Sequence, residues 1–165
     1  MTTENAATFP TATPDVPQLS STVPVIGIDP GQSGGIAFLA SDGTVRAYKM
    51  PETERDTFDL LADLGSYAGV RGIIEKVGPM PKQGVSSTWK FGQHYGSLRA
   101  FLIAIGIPFD AVAPGVWQKS LGCLSHGDKN VTKKRAQELY PALKITHATA
   151  DALLIATYGR RNGHA

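Results

Sequence analysis

The chain has a single cysteine and no long hydrophobic run. Cys123 is the single cysteine among 165 residues, so no internal disulfide can form. No apolar run is long enough to cross a bilayer or to serve as a secretory signal. We therefore expect a soluble cytoplasmic protein that makes no membrane contact and buries one hydrophobic core.

Acidic residues are scarce in the middle of the chain. Residues 1–69 carry three basic and nine acidic side chains, whereas residues 70–135 carry ten basic and three acidic ones. A basic face of this kind favours a polyanionic partner, because bound phosphates release condensed counterions. The alternative is an ordinary solvated surface that happens to be basic.

Large apolar residues are nearly absent from residues 1–22, which are rich in Thr, Ala and Pro. Such a segment cannot bury enough surface to offset the entropy of ordering it. We predict a disordered N-terminal tail over residues 1–22 and one folded domain over residues 23–165.

The stretch VIGIDPGQSGGIAF, residues 25–38, predicts two strands joined by a tight reversal. Asp29 ends the first strand, where a buried carboxylate is costly unless a cation neutralises it. A divalent metal ion or an arginine side chain could provide this positive charge. The alternative is that Asp29 only caps the turn, as Asp before Pro-Gly often does.

Short strands over residues 35–40 and 44–48 would complete an antiparallel meander. A helix capped by Asp56 or Thr57 follows, and the next apolar run, residues 71–77, predicts a strand parallel to the first. Because this strand carries Glu75 at its end, two neighbouring strands would present acids at the same edge of the sheet.

The second half of the chain alternates loops and helices. Residues 78–87 form a loop whose Lys82 suits contact with nucleic acid, although a plain surface loop explains it equally well. The helical pattern of residues 87–105 places Gly92 and Gly96 on one face, where a second helix could approach closely. A short helix follows, and we expect its Trp117 to lie in the core.

A basic helix is predicted over residues 131–140. Lys133 and Lys134 lie in its first turns, where positive charge opposes the helix dipole, so this placement favours a binding role. A last helix over residues 149–161 would hold Asp151 in its first turn, where an acid also complements the dipole without any further role. His147 just upstream is a candidate ligand or an ordinary loop histidine.

Six motifs in order resemble a known family. They are GIDPG, IIEKV, KFGQHYG, PGVWQKSL, KKRAQELYP and HATADALLIA, and they span residues 25–161. Together they resemble RuvC-type Holliday-junction resolvases of the RNase H-like superfamily, particularly the bacteriophage members.

The resemblance implies an α/β RNase H-like fold with a five-stranded mixed sheet flanked by helices. It also implies a homodimer that nicks paired strands of a four-way DNA junction with Mg2+, or Mn2+ as substitute, in the host cytoplasm if the chain is phage-encoded. Its metal-binding catalytic acids would be Asp29, Glu75 and Asp151. Relatives usually carry a fourth ligand where this chain has Ala148, and His147 is our substitute for it.

The same resemblance, together with the charge pattern, assigns two further sets of residues. The pair Gly92 and Gly96 would lie at the dimer interface. The lysines expected to hold DNA phosphates are Lys82, Lys119, Lys129, Lys133 and Lys134.

Three alternatives remain open at this point. Sugar-kinase and actin-like ATPases also begin with an acid and glycines after the first strand, but they need two such domains and well over twice this length. A non-catalytic junction-binding module with this fold would not require all three acids. A nuclease of the same fold with broader choice of branched DNA, such as flaps and forks, is also compatible with the sequence.

Overall fold

A computed structural model describes residues 23–78 and 84–163 of the chain. The predicted tail, residues 1–22, and the predicted phosphate contact Lys82 lie outside the described residues. Within the described ranges, no helix combines the length and the apolar character that a membrane span requires.

A five-stranded mixed sheet forms the centre of the fold. Its strands are β1 (Val25–Asp29), β2 (Gly35–Leu39), β3 (Val45–Lys49), β4 (Arg71–Glu75) and β5 (Phe109–Val112). The spatial order is β3-β2-β1-β4-β5, in which β1, β2 and β3 form the predicted antiparallel meander. Strands β4 and β5 continue parallel to β1, so the predicted fold class is confirmed.

Five helices flank this sheet in the described part of the chain. They are α1 (Glu54–Gly65), α2 (Val85–Ile105), α3 (Pro114–Ser120), α4 (Lys129–Leu139) and α5 (His147–Arg161). The sheet is covered on both faces, which explains why every residue of β2 is buried. Trp117 on α3 is fully buried, as predicted.

The strands alternate between two cores, because successive side chains of a strand point to opposite faces. Ile26, Ile28 and Ile74 pack with α1 and α2, while Val25 and Ile73 belong to the core that includes α5. Continuing the same alternation, Asp29 and Glu75 face the α5 side of the sheet.

Glycine lets α5 approach the sheet closely. A Cβ atom at Gly27 would lie 2.3 Å from the Ala152 carbonyl oxygen, and one at Gly35 would lie 2.3 Å from the Ala148 carbonyl oxygen. Both contacts are far below van der Waals separation, so α5 rests directly on the backbone of β1 and β2.

Several predicted helix starts are wrong, and local capping explains why. Helix α1 is capped by Thr53, whose hydroxyl accepts from the Asp56 backbone N–H at 3.0 Å, so neither Asp56 nor Thr57 is the cap. Helix α4 begins at Lys129 behind an Asp128 cap. Helix α2 begins at Val85, two residues earlier than predicted.

Helix α5 also begins two residues earlier than predicted. Thr146 and Thr149 form a reciprocal capping box, which makes His147 the first helical residue. Asp151 therefore lies in the second turn, and the interpretation of it as a first-turn acid that complements the helix dipole is wrong.

Candidate active site

Three carboxylates meet where β1 and β4 end. Ile28 pairs with Ile74 in the parallel register, so Asp29 and Glu75 follow side by side at the carboxyl edge of the sheet. Helix α5 crosses this edge and brings Asp151 to the same face. Each carboxylate comes from a different element, and the sheet register and the glycine contacts of α5 fix where they meet.

The environment of Asp29 is the most strongly perturbed of the three. The pKa of Asp29 is raised to about 8, chiefly by burial and then by the negative charges of Glu75 and Asp151. When a carboxyl group is buried beside two others, its protonated form is favoured unless a cation binds next to it.

Glu75 is held in place by a buried indole. Its Oε2 atom accepts a hydrogen bond of 2.8 Å from Trp117 Nε1. Burial raises the pKa of Glu75, while this hydrogen bond opposes the shift. Because Trp117 is fully buried, the carboxylate is fixed in orientation as well as in position.

Asp151 has an unsatisfied oxygen. Its Oδ1 atom is buried and has no hydrogen-bond partner among the described residues. Burial raises the pKa of Asp151, and the hydroxyl of Thr132 together with the charge of Lys129 lowers it in part. An unpartnered buried carboxylate oxygen is expensive, so this atom favours a cationic ligand.

Lys129 is the cation that the three carboxylates share. Its charge opposes the raised pKa of Asp29, of Glu75 and of Asp151. It is the first residue of α4, and the exposed Asp128 caps that helix through the Asn130 N–H at 2.9 Å. The structure therefore brings one predicted phosphate contact to the three acids.

The donor set suits a hard divalent cation. Carboxylate oxygens are the ligands that Mg2+ and Mn2+ prefer, and the unpartnered Asp151 Oδ1 is available to one. In residues 23–78 and 84–163, however, no three His, Cys, Asp or Glu side chains are spaced to enclose an ion as they stand. The three acids would therefore have to draw closer around a metal.

His147 lies beside Asp151 but outside the group of three. One helical turn separates the two residues, and the charge of His147 lowers the pKa of Asp151. The imidazole is exposed, and its Nε2 atom is 3.2 Å from Asn130 Oδ1. It does not contribute to the pKa shift of Asp29 or Glu75.

Solved structures share this arrangement of strands and helices. They include Thermus thermophilus RuvC in complex with a Holliday junction substrate, at 18% identity and a TM-score of 0.59, covering 86% of this chain and 95% of that one. A second T. thermophilus RuvC structure matches at 19% identity and a TM-score of 0.56, covering 86% and 96%. A more distant match is the yeast mitochondrial Holliday junction resolvase Ydc2, at 16% identity and a TM-score of 0.46, covering 88% of this chain and 85% of that one.

The chain has an RNase H-like fold. No protein-family model and no curated protein sequence matches it. The structural likeness, at under 20% identity, therefore establishes the fold, and the activity must be argued from the residues of the site.

The other predicted lysines that the structure describes lie on α3 and α4 of this RNase H-like domain. Lys119 and Lys134 are exposed on α3 and α4, and Lys133 is half-buried on α4. Gly92 and Gly96 are exposed on α2, and a Cβ atom at either would meet no heavy atom of the described residues within 4 Å. These residues stay predictions as DNA contacts and as an interface.

Sequence reasoning missed two residues that support the site. It assigned Trp117 only to the core, and it did not single out Thr132. An indole must find a partner for its N–H when buried, so a predicted core tryptophan near a predicted buried acid is a usable signal. Nothing in the sequence pattern indicates the Thr132 contact, which depends on how α4 packs against α5.

Proposed function

We propose that the chain is a DNA endonuclease that resolves four-way junctions by metal-dependent hydrolysis of phosphodiester bonds, with paired nicks. The observation that carries this proposal is the group Asp29, Glu75 and Asp151, half-buried on one face of an RNase H-like sheet with raised pKa values. The RuvC structure in complex with a Holliday junction substrate supports the choice of substrate.

Asp29, Glu75 and Asp151 would hold Mg2+, or Mn2+ in its place, with His147 as a further ligand. The bound metal would activate a water molecule and stabilise the departing 3′-oxygen. Trp117 keeps Glu75 oriented toward the site through its N–H, and Lys129 provides a positive charge that can bind the phosphate next to the scissile bond.

The remaining lysines would extend the DNA contact away from the cutting site. Exposed Lys119 and Lys134, half-buried Lys133 and the undescribed Lys82 have the charge to bind phosphates without reading sequence. They explain why basic residues are concentrated between residues 70 and 135. A cytoplasmic location, in the host cell if the chain is phage-encoded, stays a prediction from the sequence.

Paired nicks need two sites, and α2 offers a surface for a second copy. Val85, Trp89 and Ile103 are 88%, 67% and 67% exposed, and they lie on one stripe of α2 together with Gly92 and Gly96. We call these five residues the α2 stripe. Exposed apolar side chains beside glycines favour close packing of two helices, so we propose a homodimer through this stripe.

The test is a cleavage assay with labelled four-way junction, flap, fork and plain duplex, each with and without Mg2+. We expect paired nicks in the junction only with metal. We expect each of the variants Asp29→Asn, Glu75→Gln and Asp151→Asn to cleave at least about a thousandfold more slowly than the wild type. Junction affinity should stay equal or rise, because a carboxylate facing phosphates is removed.

Two other results would redirect the proposal. Comparable cutting of flaps and forks would indicate a branched-DNA nuclease with broader specificity. Tight junction binding without any cleavage in Mg2+ or Mn2+ would indicate a non-catalytic binding module. Near wild-type cutting by one of the three variants would remove that residue from the site.

A further inference from the structure

A cleft lies beside the turn that follows Asp29 and is not used by the chemistry proposed above. It is formed by the turn after β1 and by the inner side of α2, and it has a volume of about 520 Å³. Gly31 and Gln32, which line it, follow Asp29 by two and three residues. A group bound in this cleft would therefore contact the turn that begins directly after Asp29.

One wall of the cleft is aromatic. A Cβ atom at Gly31 would lie only 3.2 Å from Phe91 Cε2, so the ring sits directly against the turn. Gly31 has a φ of +107°, a conformation that most L-residues avoid. The turn and the Phe91 ring thus provide an apolar surface of the kind on which a planar ring packs.

The cleft is also lined by groups that can form hydrogen bonds with the edge of a base. Gln32 presents an amide, Lys90 an ammonium group and His94 an imidazole. The His94 Nε2 atom is buried and has no hydrogen-bond partner among the described residues. Burial lowers the pKa of His94, which favours the neutral ring with one donor and one acceptor.

Charge argues against a phosphate as the occupant. Glu54 also lines the cleft, and its Oε1 atom accepts from the Ser97 hydroxyl at 2.6 Å. A carboxylate inside the cleft would repel a phosphate but would accept from the amino group of a base. The combination of an aromatic wall, an amide, a neutral imidazole and a carboxylate is suited to a nucleobase.

We propose that this cleft binds one unstacked nucleobase beside the scissile phosphate, and that Gln32 and His94 determine which base is accepted. The His94 ring would rotate to bring Nε2 to the edge of that base. Lys90 would hold the phosphate attached to the same nucleotide. The inference rests on the proposed function and adds a sequence preference to it.

The experiment uses the full chain and four-way junctions in which the bases flanking the cut are randomised. Sequencing the products gives the preference at each position. We expect His94→Ala and Gln32→Ala to reduce the preference at one flanking position by at least about fivefold. Base preferences at the other positions should persist, whereas a structural effect of the variants would weaken the preferences at all positions.

Two further variants keep the result interpretable. Gln32 is exposed in a turn, so Gln32→Ala leaves the core intact even if His94→Ala loosens α2. His94→Gln retains a donor and an acceptor and should keep or redirect the preference. The matched control is His126→Ala, since His126 is exposed and does not line the cleft; it should leave the profile unchanged.

Binding of the base can be measured without cleavage. In the Asp29→Asn background, a junction with 2-aminopurine at the preferred position should change in fluorescence on binding, and His94→Ala should remove most of that change. If the enzyme stays active and its base preference survives both His94→Ala and Gln32→Ala, the inference is wrong and the proposed function still stands. A protein that cuts no branched DNA would overturn the proposed function and the inference with it.

Discussion

Asp29 is the residue at which folding and function conflict most directly. The β1 register and the turn at Gly31 bury its carboxyl beside Glu75 and Asp151, and its pKa rises to about 8. An unfolded aspartate has a pKa near 3.8, so the folded protein retains a proton that the unfolded chain releases between these values. The free energy of unfolding should therefore fall as pH rises from about 4 to 8.

We predict that Asp29→Asn stabilises the metal-free protein at neutral pH. The amide carries no charge to bury, so it removes a penalty that we place between about 1 and 4 kcal/mol at pH 7. The gain should shrink toward pH 4, where the wild-type carboxyl is protonated in both states. Thermal unfolding at pH 4.5 and pH 7.5 in the presence of a chelator measures this difference.

The matched control is Asp42→Ala, for which the opposite sign is expected. The Asp42 carboxylate accepts from the Thr44 N–H at 2.8 Å, and this bond lowers the pKa of Asp42. Its contribution to stability is present above its unfolded pKa and is lost as pH falls, so the variant should melt slightly lower at pH 7.5. A pH-independent effect of Asp29→Asn would show that Asp29 is ionised in the fold.

His147 leads to a prediction about metal preference. Imidazole is a softer ligand than carboxylate, so a site with one histidine among three acids should use Mn2+ at least as well as Mg2+. We expect His147→Ala to lower the ratio of Mn2+ to Mg2+ activity by several-fold, and His147→Asp to restore activity with Mg2+. Calorimetric titration of each metal into the free protein provides a second measurement.

An unaltered metal ratio in His147→Ala would leave a site of three carboxylates. That outcome is consistent with the observed contact between His147 Nε2 and Asn130 Oδ1 at 3.2 Å, which would then be the residue's only role at the start of α5. Asn130→Ala separates the two explanations, because it frees the imidazole without removing it.

At the scale of the element, the strands were easier to predict than the helix starts. Short apolar runs that end in Asp29 and Glu75 indicate β1 and β4, and the intervening α1 makes them parallel neighbours, as the register confirms. Helix starts depend on which of several Thr, Ser and Asp side chains forms the cap. Thr53 and Thr146 have those roles, and periodicity alone does not distinguish them from nearby residues.

The position of Asp151 also depended on tertiary contacts. Its distance from Asp29 follows from the close approach of α5 to Gly27 and Gly35, where any side chain would clash with the helix backbone. A lone glycine within a strand suggests such an approach but does not say which element comes near. The cleft beside Gly31 was missed for the same reason, since residues of the β1–β2 turn and of α2 form it only in the folded chain.

Helix α4 is the element on which the proposed DNA interaction can be tested. Lys133→Ala with Lys134→Ala should weaken junction binding and reduce the slope of log affinity against log salt by up to about one unit for each phosphate that is no longer neutralised. The slope should change because such a phosphate keeps its condensed counterions when the protein binds. Filter binding or fluorescence anisotropy from about 50 to 200 mM salt measures it.

The control for this pair removes two positive charges elsewhere. Lys49 on β3 and Lys144 before α5 are both exposed, and neither is assigned to the DNA surface. The double variant Lys49→Ala and Lys144→Ala should keep the wild-type slope. If both double variants lower the slope equally, the effect is one of net charge and α4 is an ordinary solvated helix.

The fold separates two surfaces of different character. The three carboxylates and Lys129 lie where β1, β4, α4 and α5 meet, whereas the α2 stripe faces outward from the helix layer on the other side of the sheet. A single copy of the chain would satisfy neither surface. One active site cuts only one strand, and an apolar stripe exposed to water is unfavourable. A two-fold axis near α2 would satisfy both requirements.

We predict that Gly96→Leu abolishes the dimer without unfolding the chain. A leucine at position 96 would hold two helices apart. Its Cβ atom would meet no heavy atom of residues 23–78 and 84–163 within 4 Å, and leucine has a higher helix propensity than glycine by about 0.8 kcal/mol. The variant should therefore remain folded. Light scattering should report a monomer that still binds a junction yet no longer makes paired nicks.

Ala104→Leu is the control, because Ala104 is exposed on the same helix but lies outside the α2 stripe. It adds the same side chain and should leave a dimer with wild-type cutting. Trp89→Ala offers an independent approach, since it removes the largest exposed apolar group of the stripe and should weaken the dimer without adding bulk. If Gly96→Leu remains a dimer and makes paired nicks at the normal rate, the two-fold axis must pass through another face, and the exposure of Val85, Trp89 and Ile103 must have a different cause.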